Sequence, residues 1–152
     1  MNKPKISDKR WSIDLEKKIQ ENHYLDVGQF YSFNPNSDKE LFVIDTPPPY
    51  PSGTWHIGAV AQYSMIDVIA RSQRLLGKEV FFPWGVDRNG INIEFTVEKS
   101  TGRKMRSFER SEFLDLCSKT IENFTQEMRH TAKRVGLSCD FDKEYLTDSP
   151  EY

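Results

Sequence analysis

Leu41-Phe42-Val43-Ile44-Asp45-Thr46-Pro47-Pro48-Pro49-Tyr50-Pro51-Ser52-Gly53-Thr54-Trp55-His56-Ile57-Gly58 is the stretch from which the rest of the chain can be read. Its first four residues are a short continuous apolar run, the pattern of a strand buried on both faces of a parallel sheet. After Asp45 come four prolines in seven residues. Each proline fixes φ and removes an amide donor, so the chain leaves the ladder and enters a stiff loop. A loop that is already stiff loses little entropy when it holds a ligand. Gly58 lacks a Cβ, so a backbone or a nucleotide can lie against the first helical turn, where unpaired N–H groups and the macrodipole favour anions. His56 adds a donor directed at the same point, and the stretch is expected to hold a phosphate.

Outward from that point, Ala61, Met65, Val68, Ile69 and Leu75 recur at helical spacing over about residues 57 to 76. They are expected to face inward, with Gln62, Arg71 and Arg74 outward and Gly77 ending the helix. Residues 79 to 82 read as a second strand, followed by Pro83-Trp84. Strand, loop, helix and strand make a βαβ unit, which needs a parallel sheet. Ligands of such sheets bind beyond the carboxyl ends of the strands. The loops 46–58 and 85–90 both lie there, so they are expected to converge. Further on, Phe113, Cys117, Ile121, Phe124, Met128, Ala132 and Val135 repeat by threes and fours. That spacing predicts a long helix opening near Ser107, with the serine as N-cap, and closing at Gly136. Upstream, Trp11, Leu15 and Ile19 suggest an amphipathic helix over about residues 8–22 that packs on the sheet. The turn-forming run 34–39 separates it from a fold that begins near Glu40.

Residues 46–58, TPPPYPSGTWHIG, closely resemble the signature of class I aminoacyl-tRNA synthetases, whose motif reads His-x-Gly-His. Within that class, a triple proline after Asp-Thr resembles the valyl branch. Gly85-Val86-Asp87-Arg88-Asn89-Gly90 is similar to the Gly-x-Asp-x-x-Gly loop with which these enzymes hold the substrate ammonium, and residues 135–147 resemble the family segment leading into a large editing insertion. The likeness runs from about Trp11 to Tyr152. It implies an α/β fold, the first half of a class I synthetase Rossmann-type parallel sheet with flanking helices. It also implies a division into a tail, helix and turn (1–39), the first half of a nucleotide-binding domain (40–136), and a segment leading into an editing insertion absent from the chain (137–152).

The reaction so implied is attack of an amino acid carboxylate on the α-phosphate of ATP, then transfer to tRNA. ATP enters as a substrate with Mg2+, no prosthetic group is bound, and the amino acid and acceptor are valine and tRNA(Val), the latter held mainly by parts absent from this chain. By resemblance, His56 is the catalytic donor to phosphate oxygens, and Tyr50, Gly58 and Ala59 lie along the ATP. Pro47 and Pro48 form part of the apolar side-chain pocket, the Pro48 carbonyl meets the ammonium, and Asp87 neutralises it. Ala59 stands where the motif has its second histidine, which removes one phosphate or ribose contact.

Composition bounds the remaining classes. With 152 residues, 37% hydrophobic and 12% aromatic, one domain with a filled core is expected. A net charge of -2 from 21 basic and 23 acidic residues is far from the basic footprint of an autonomous nucleic-acid binder. Two cysteines without paired spacing argue against a disulfide scaffold or zinc site, fit a reducing cytoplasm, and leave no metal site to expect; Cys117 reads as a small core residue. No apolar run approaches membrane-spanning length, and the polar start lacks the centre of a signal peptide.

Several features carry plainer readings. Lys104-Met105-Arg106-Ser107 looks like the family's lysine loop but precedes the long helix, so it reads as a basic turn. His23 and His130 read as solvated. Glu94, Glu98 and Lys99 read as a solvated helix face, and Trp55 and Trp84 as pocket lining or core. The expectation is an N-terminal portion of a valine-activating ligase, inactive by itself. Two alternatives stand beside it: a portion of an isoleucyl or leucyl ligase, and a freestanding non-catalytic module that binds a nucleotide or amino acid, which Ala59 and the short length favour.

Overall fold

The computed structural model describes residues 10–23 and 31–152. In order, the elements are α1 (Ile13–His23), β1 (Leu41–Val43), α2 (Ile57–Leu75), β2 (Glu79–Phe81), β3 (Pro83–Val86), α3 (Asn92–Thr101), a 3-10 turn (Met105–Ser107), α4 (Arg110–Val135) and β4 (Asp140–Leu146). The first nine residues of the tail lie outside the described part, as does the His23 side chain.

The βαβ unit is present. β1 and β2 pair in parallel, with Leu41 opposite Glu79 and Val43 opposite Phe81. The extended chain then changes partner at Phe82. The Phe81 carbonyl accepts from Ile44 N–H (2.9 Å), and the next carbonyl, Phe82, accepts from Asp140 N–H (3.2 Å). Successive carbonyls of a strand point to opposite edges, so one extended segment serves β1 on one side and β4 on the other. β3 and β4 are also parallel, with Pro83 opposite Asp140 and Val86 opposite Leu146. Gly85 therefore belongs to a strand, not to the loop expected to start there.

Period-two alternation along this segment builds the core. Val80, Phe82, Trp84 and Val86 are all buried and share one cluster with Tyr63, Ala70, Met128, Ala132, Leu137 and Cys139, with Phe42 and Ile44 packed against it. The long-helix spacing holds in its main part, since Phe113, Ile121, Met128 and Ala132 are buried. Its start is corrected. Glu109, not Ser107, precedes the first turn, and Ser107 Oγ donates to the Lys104 carbonyl (2.7 Å) instead of capping.

Three other expectations change. In α2, Met65, Val68, Ile69 and Leu75 are 65%, 62%, 51% and 89% exposed, and the buried face is Tyr63, Asp67 and Ala70. Arg71 and Arg74, expected to face outward, turn instead toward the 136–138 segment, where Arg74 donates to Ser138 and Arg71 to the Gly136 carbonyl. A polar residue with partners packs as well as an apolar one, so the stripe of highest hydropathy is not the stripe that packs. β1 is covered on one face only, because Leu41 and Val43 are exposed. α1 meets the end of α4 through a hydrogen bond from Gln20 Nε2 to the Arg134 carbonyl (3.1 Å), rather than lying on the sheet.

Gly136 ends α4 in the left-handed region at φ 84°, with its N–H donating back to Lys133 (3.0 Å). A Cβ in that conformation costs about 1–2 kcal/mol. Gly136→Ala is expected to lower the unfolding free energy by that amount, read as a lower urea midpoint at an unchanged slope. An unaltered midpoint would refute the left-handed cap.

Candidate functional site

The proline loop leaves β1 and is fixed carbonyl by carbonyl. Prolines have no amide to offer, so the open chemistry of residues 47–49 lies in three carbonyl oxygens. The Pro47 carbonyl accepts from Tyr63 Oη (3.1 Å) on α2. The Pro49 carbonyl accepts from Asp87 N–H (2.9 Å) beyond β3. The Pro48 carbonyl has no partner among the described residues. Burial pushes the Tyr63 phenol up to about 12, so at neutral pH its proton stays in place to hold Pro47.

The two loops singled out in the sequence do come together. Besides the bond from Asp87 to Pro49, Tyr50 Oη donates to the Gly90 carbonyl (3.0 Å). The Tyr50 ring lies so close to Gly90 that a Cβ there would fall 2.6 Å from a ring carbon. Gly85 has a similar neighbour, since an added Cβ would lie 2.0 Å from Tyr145 of β4. Both glycines of the Gly-x-Asp-x-x-Gly pattern thus admit tyrosine rings.

His56 is exposed and is the N-cap of α2. Its Nδ1 accepts from Gly58 N–H (3.1 Å) and Ala59 N–H (3.4 Å), the amides at the second and third helical positions. This corrects the expectation that those amides are unpaired and await an anion, because the imidazole covers them. It also defines the tautomer. With Nδ1 accepting, the neutral ring carries its proton on Nε2, which is the donor the side chain presents. Gly58 serves this arrangement, since a Cβ on it would come within 2.9 Å of the His56 ring.

Asp87 is half-buried, and one of its carboxylate oxygens is held. Oδ1 accepts from Asn89 N–H (3.1 Å) and from Thr147 Oγ1 (3.1 Å), whereas Oδ2 has no partner among the described residues. The next residue anchors the loop. The guanidinium of Arg88 is 10% exposed and pairs with Glu122 of α4 (2.9 Å) and with Asp148 (3.1 Å).

A cavity of about 310 Å3 lies between the proline loop and α2, bounded by Pro47, Pro48, Tyr50, His56, Ala59 and Tyr63 among others. Its aromatic wall is Trp55 stacked on Tyr63, with centroids 4.9 Å apart and planes 18° apart. Trp84 backs this pair and is 2% exposed. Trp84 is therefore core, and Trp55 is lining. Tyr63 was not singled out from the sequence. The available signal was a hydroxyl-bearing aromatic on α2, seven residues after His56, where it faces the proline loop across one helical repeat.

Elsewhere the plain readings of the 104–107 turn and of His130 hold. Lys104 is paired with Glu98 (3.0 Å), which also accepts Met105 N–H (2.7 Å), and His130 is exposed. Glu98 is half-buried by these contacts, so the face expected to be wholly solvated is partly engaged. Burial pushes the thiols of both Cys117 and Cys139 up, which makes them poor nucleophiles. No described helix is long and apolar enough to cross a membrane.

Residues 20–152 match the family described as tRNA synthetases class I (I, L, M and V). The valine–tRNA ligase of Rickettsia typhi is 42% identical over 139 residues, covering 91% of this chain and 17% of the relative. That of Archaeoglobus fulgidus is 46% identical over 124 residues, covering 82% of this chain and 14% of the relative. That of Aeropyrum pernix is 41% identical over 155 residues, covering 99% and 19%. Among solved structures, a ternary complex of Agrobacterium radiobacter K84 agnB2 LeuRS with tRNA and LeuAMS superposes with a TM-score of 0.66 at 26% identity, covering 91% of this chain and 16% of that one. The chain thus spans between 14% and 19% of the length of these valine–tRNA ligases.

Proposed function

From the premise that the chain belongs to the class I tRNA synthetase family, with the fold of part of its catalytic domain, we propose that it carries the ammonium- and phosphate-binding part of a valine-activating site. The supporting observation is the carbonyl accounting in the proline loop. Of three consecutive acceptors, the protein occupies those of Pro47 and Pro49 and leaves that of Pro48 open, while Asp87, tied to Pro49, keeps Oδ2 open. Two unpaired acceptors on one rigid loop pair suit a ligand ammonium, which has three donors and no acceptor.

In this reading the valine carboxylate attacks the α-phosphorus of ATP. A carboxylate oxygen–phosphorus bond forms as the bond to pyrophosphate breaks, and the adenylate then passes its acyl group to tRNA(Val). No protein nucleophile takes part, so the protein acts by positioning and by stabilising charge. His56 donates through Nε2–H to the phosphate oxygens. Tyr50, Gly58 and Ala59 lie along the nucleotide, Pro47 and Pro48 contribute to the side-chain pocket, and Asp87 neutralises the ammonium. Ala59 supplies no side-chain donor, so Nε2–H of His56 acts without the second motif histidine. Mg2+ arrives with ATP as part of the substrate, and the setting is the cytoplasm. An apolar pocket separates valine from isoleucine by size, about 1–3 kcal/mol per methylene, but rejects isosteric threonine poorly.

The test is thermal stabilisation of the 152-residue chain by valyl-, isoleucyl- and leucyl-sulfamoyl adenosine, with AMP as reference. A ligand that binds the folded state raises the melting temperature according to its concentration relative to Kd. The valyl compound is expected to give the largest shift. Equal shifts with AMP and all three analogues would instead identify a nucleotide-binding module without amino acid recognition. No shift with any of them would remove the reading altogether.

A further inference from the structure

We infer that Thr147 is a positioning residue for Asp87, and that it sets the ammonium-binding carboxylate through the one proton its hydroxyl can give. The inference rests on the valine-activating reading above. Thr147 lies just past β4, in the segment after α4, and its N–H donates to the Val86 carbonyl (3.2 Å). Its backbone is thereby carried to the end of β3, one residue before Asp87.

The hydroxyl accounting fixes the direction of each bond. A threonine hydroxyl has one hydrogen and two lone pairs. Thr147 Oγ1 receives Arg88 N–H (2.8 Å) and Asn89 Nδ2 (3.3 Å), both of which are donors, so both lone pairs are used. The remaining contact, to Asp87 Oδ1 at 3.1 Å, must take the hydroxyl proton. Asn89 is held in the same way by the Thr147 carbonyl (3.0 Å), and its own N–H closes on Asp87 Oδ1. Oδ1 is thus committed twice to the protein and Oδ2 is not. A carboxylate fixed through one oxygen presents the other in a single direction, which lowers the ordering cost of capturing a cation.

Thr147→Val keeps the shape and removes the proton, and Thr147→Ser keeps the proton. The expected result is that Thr147→Val weakens valyl-sulfamoyl adenosine binding to the full chain about tenfold, leaves AMP affinity unchanged, and that Thr147→Ser restores the valyl affinity. Thr147→Ala gives the same readout should the valine variant fail to fold. Because Thr147 acts through Asp87, the loss is also expected to vanish in an Asp87→Asn background, as a coupled pair requires. Equal losses for AMP and the valyl compound would mark Thr147 as merely structural and overturn the inference, as would full valyl affinity in Thr147→Val. Failure of the unaltered chain to prefer the valyl compound over AMP would instead defeat the underlying reading.

Discussion

His56→Asn is expected to preserve stability while raising the Kd for AMP by about ten- to a hundredfold, and His56→Gln is expected to do the reverse. The two substitutions divide the imidazole between its nitrogens. Asparagine places an acceptor near the position of Nδ1 and is among the favoured N-cap residues, so it can take over Gly58 and Ala59 N–H. It does not reach as far as Nε2. Glutamine reaches that far with an N–H but caps poorly. Losing a hydrogen bond to a charged group costs about 1.5–3 kcal/mol, and losing an N-cap costs about 0.5–2 kcal/mol. Urea melts and AMP titrations of both variants read the two effects separately. If asparagine destabilised the chain while leaving AMP affinity intact, the division of roles between Nδ1 and Nε2 would be wrong. Because Nδ1 is held by the helix cap, the tautomer that the proposed phosphate contact calls for is set before any ligand arrives.

What the sequence disclosed about this site follows from what is local. The proline loop, the glycine two residues past His56 and the order strand, loop, helix, strand are all contiguous, and together they led to the convergence of loops that the Asp87 to Pro49 and Tyr50 to Gly90 bonds display. Histidine is an uncommon N-cap, so the sequence alone leaves the first turn of α2 looking open. The orientation of α2 was missed for a different reason. Its inward face includes Asp67, whose partner Ser138 is 71 residues away, and no periodicity within residues 57–76 reports on a partner at that distance. Gly85 reads as a loop residue in the sequence because its strand partner, Tyr145, is also remote along the chain. The resemblance to synthetases named Asp87 but not the Thr147 hydroxyl beside it, since Thr147 belongs to the segment that resembles the lead into an editing insertion.

Asp67→Ala is expected to be the most destabilising single change considered, at about 2–4 kcal/mol, although Asp67 lies outside the lining of the proline-loop cavity. Asp67 is 7% exposed, and its Oδ1 accepts both Ser138 N–H (2.8 Å) and the Ser138 hydroxyl. Its Oδ2 accepts Arg71 Nε (2.7 Å), and Arg71 also donates to the Gly136 carbonyl (2.5 Å). Arg74 supplies two donors to Ser138, to its hydroxyl (2.5 Å) and to its carbonyl (2.8 Å). Removing the carboxylate leaves the buried Ser138 N–H without its acceptor, at about 1–3 kcal/mol, and takes a partner from the exposed Arg71 side chain. The Arg71 contribution is discounted, because that side chain is 44% exposed and water screens it. Most of the loss therefore comes from Ser138. Ser138→Ala keeps the backbone N–H and is expected to cost only about 1 kcal/mol. In a double-mutant cycle the two losses should fall short of additive, since they share the Ser138 hydroxyl. Urea midpoints at a common slope measure all three variants, and a loss below about 1 kcal/mol for Asp67→Ala would mean that water replaces the carboxylate at no net cost. The functional link is geometric. Tyr63, which holds the Pro47 carbonyl, lies four residues before Asp67 on the same buried face of α2. The hydrogen bonds that join Asp67, Arg71 and Arg74 to Gly136 and Ser138 fix the rotation of the helix, and with it the reach of Tyr63 to the proline loop.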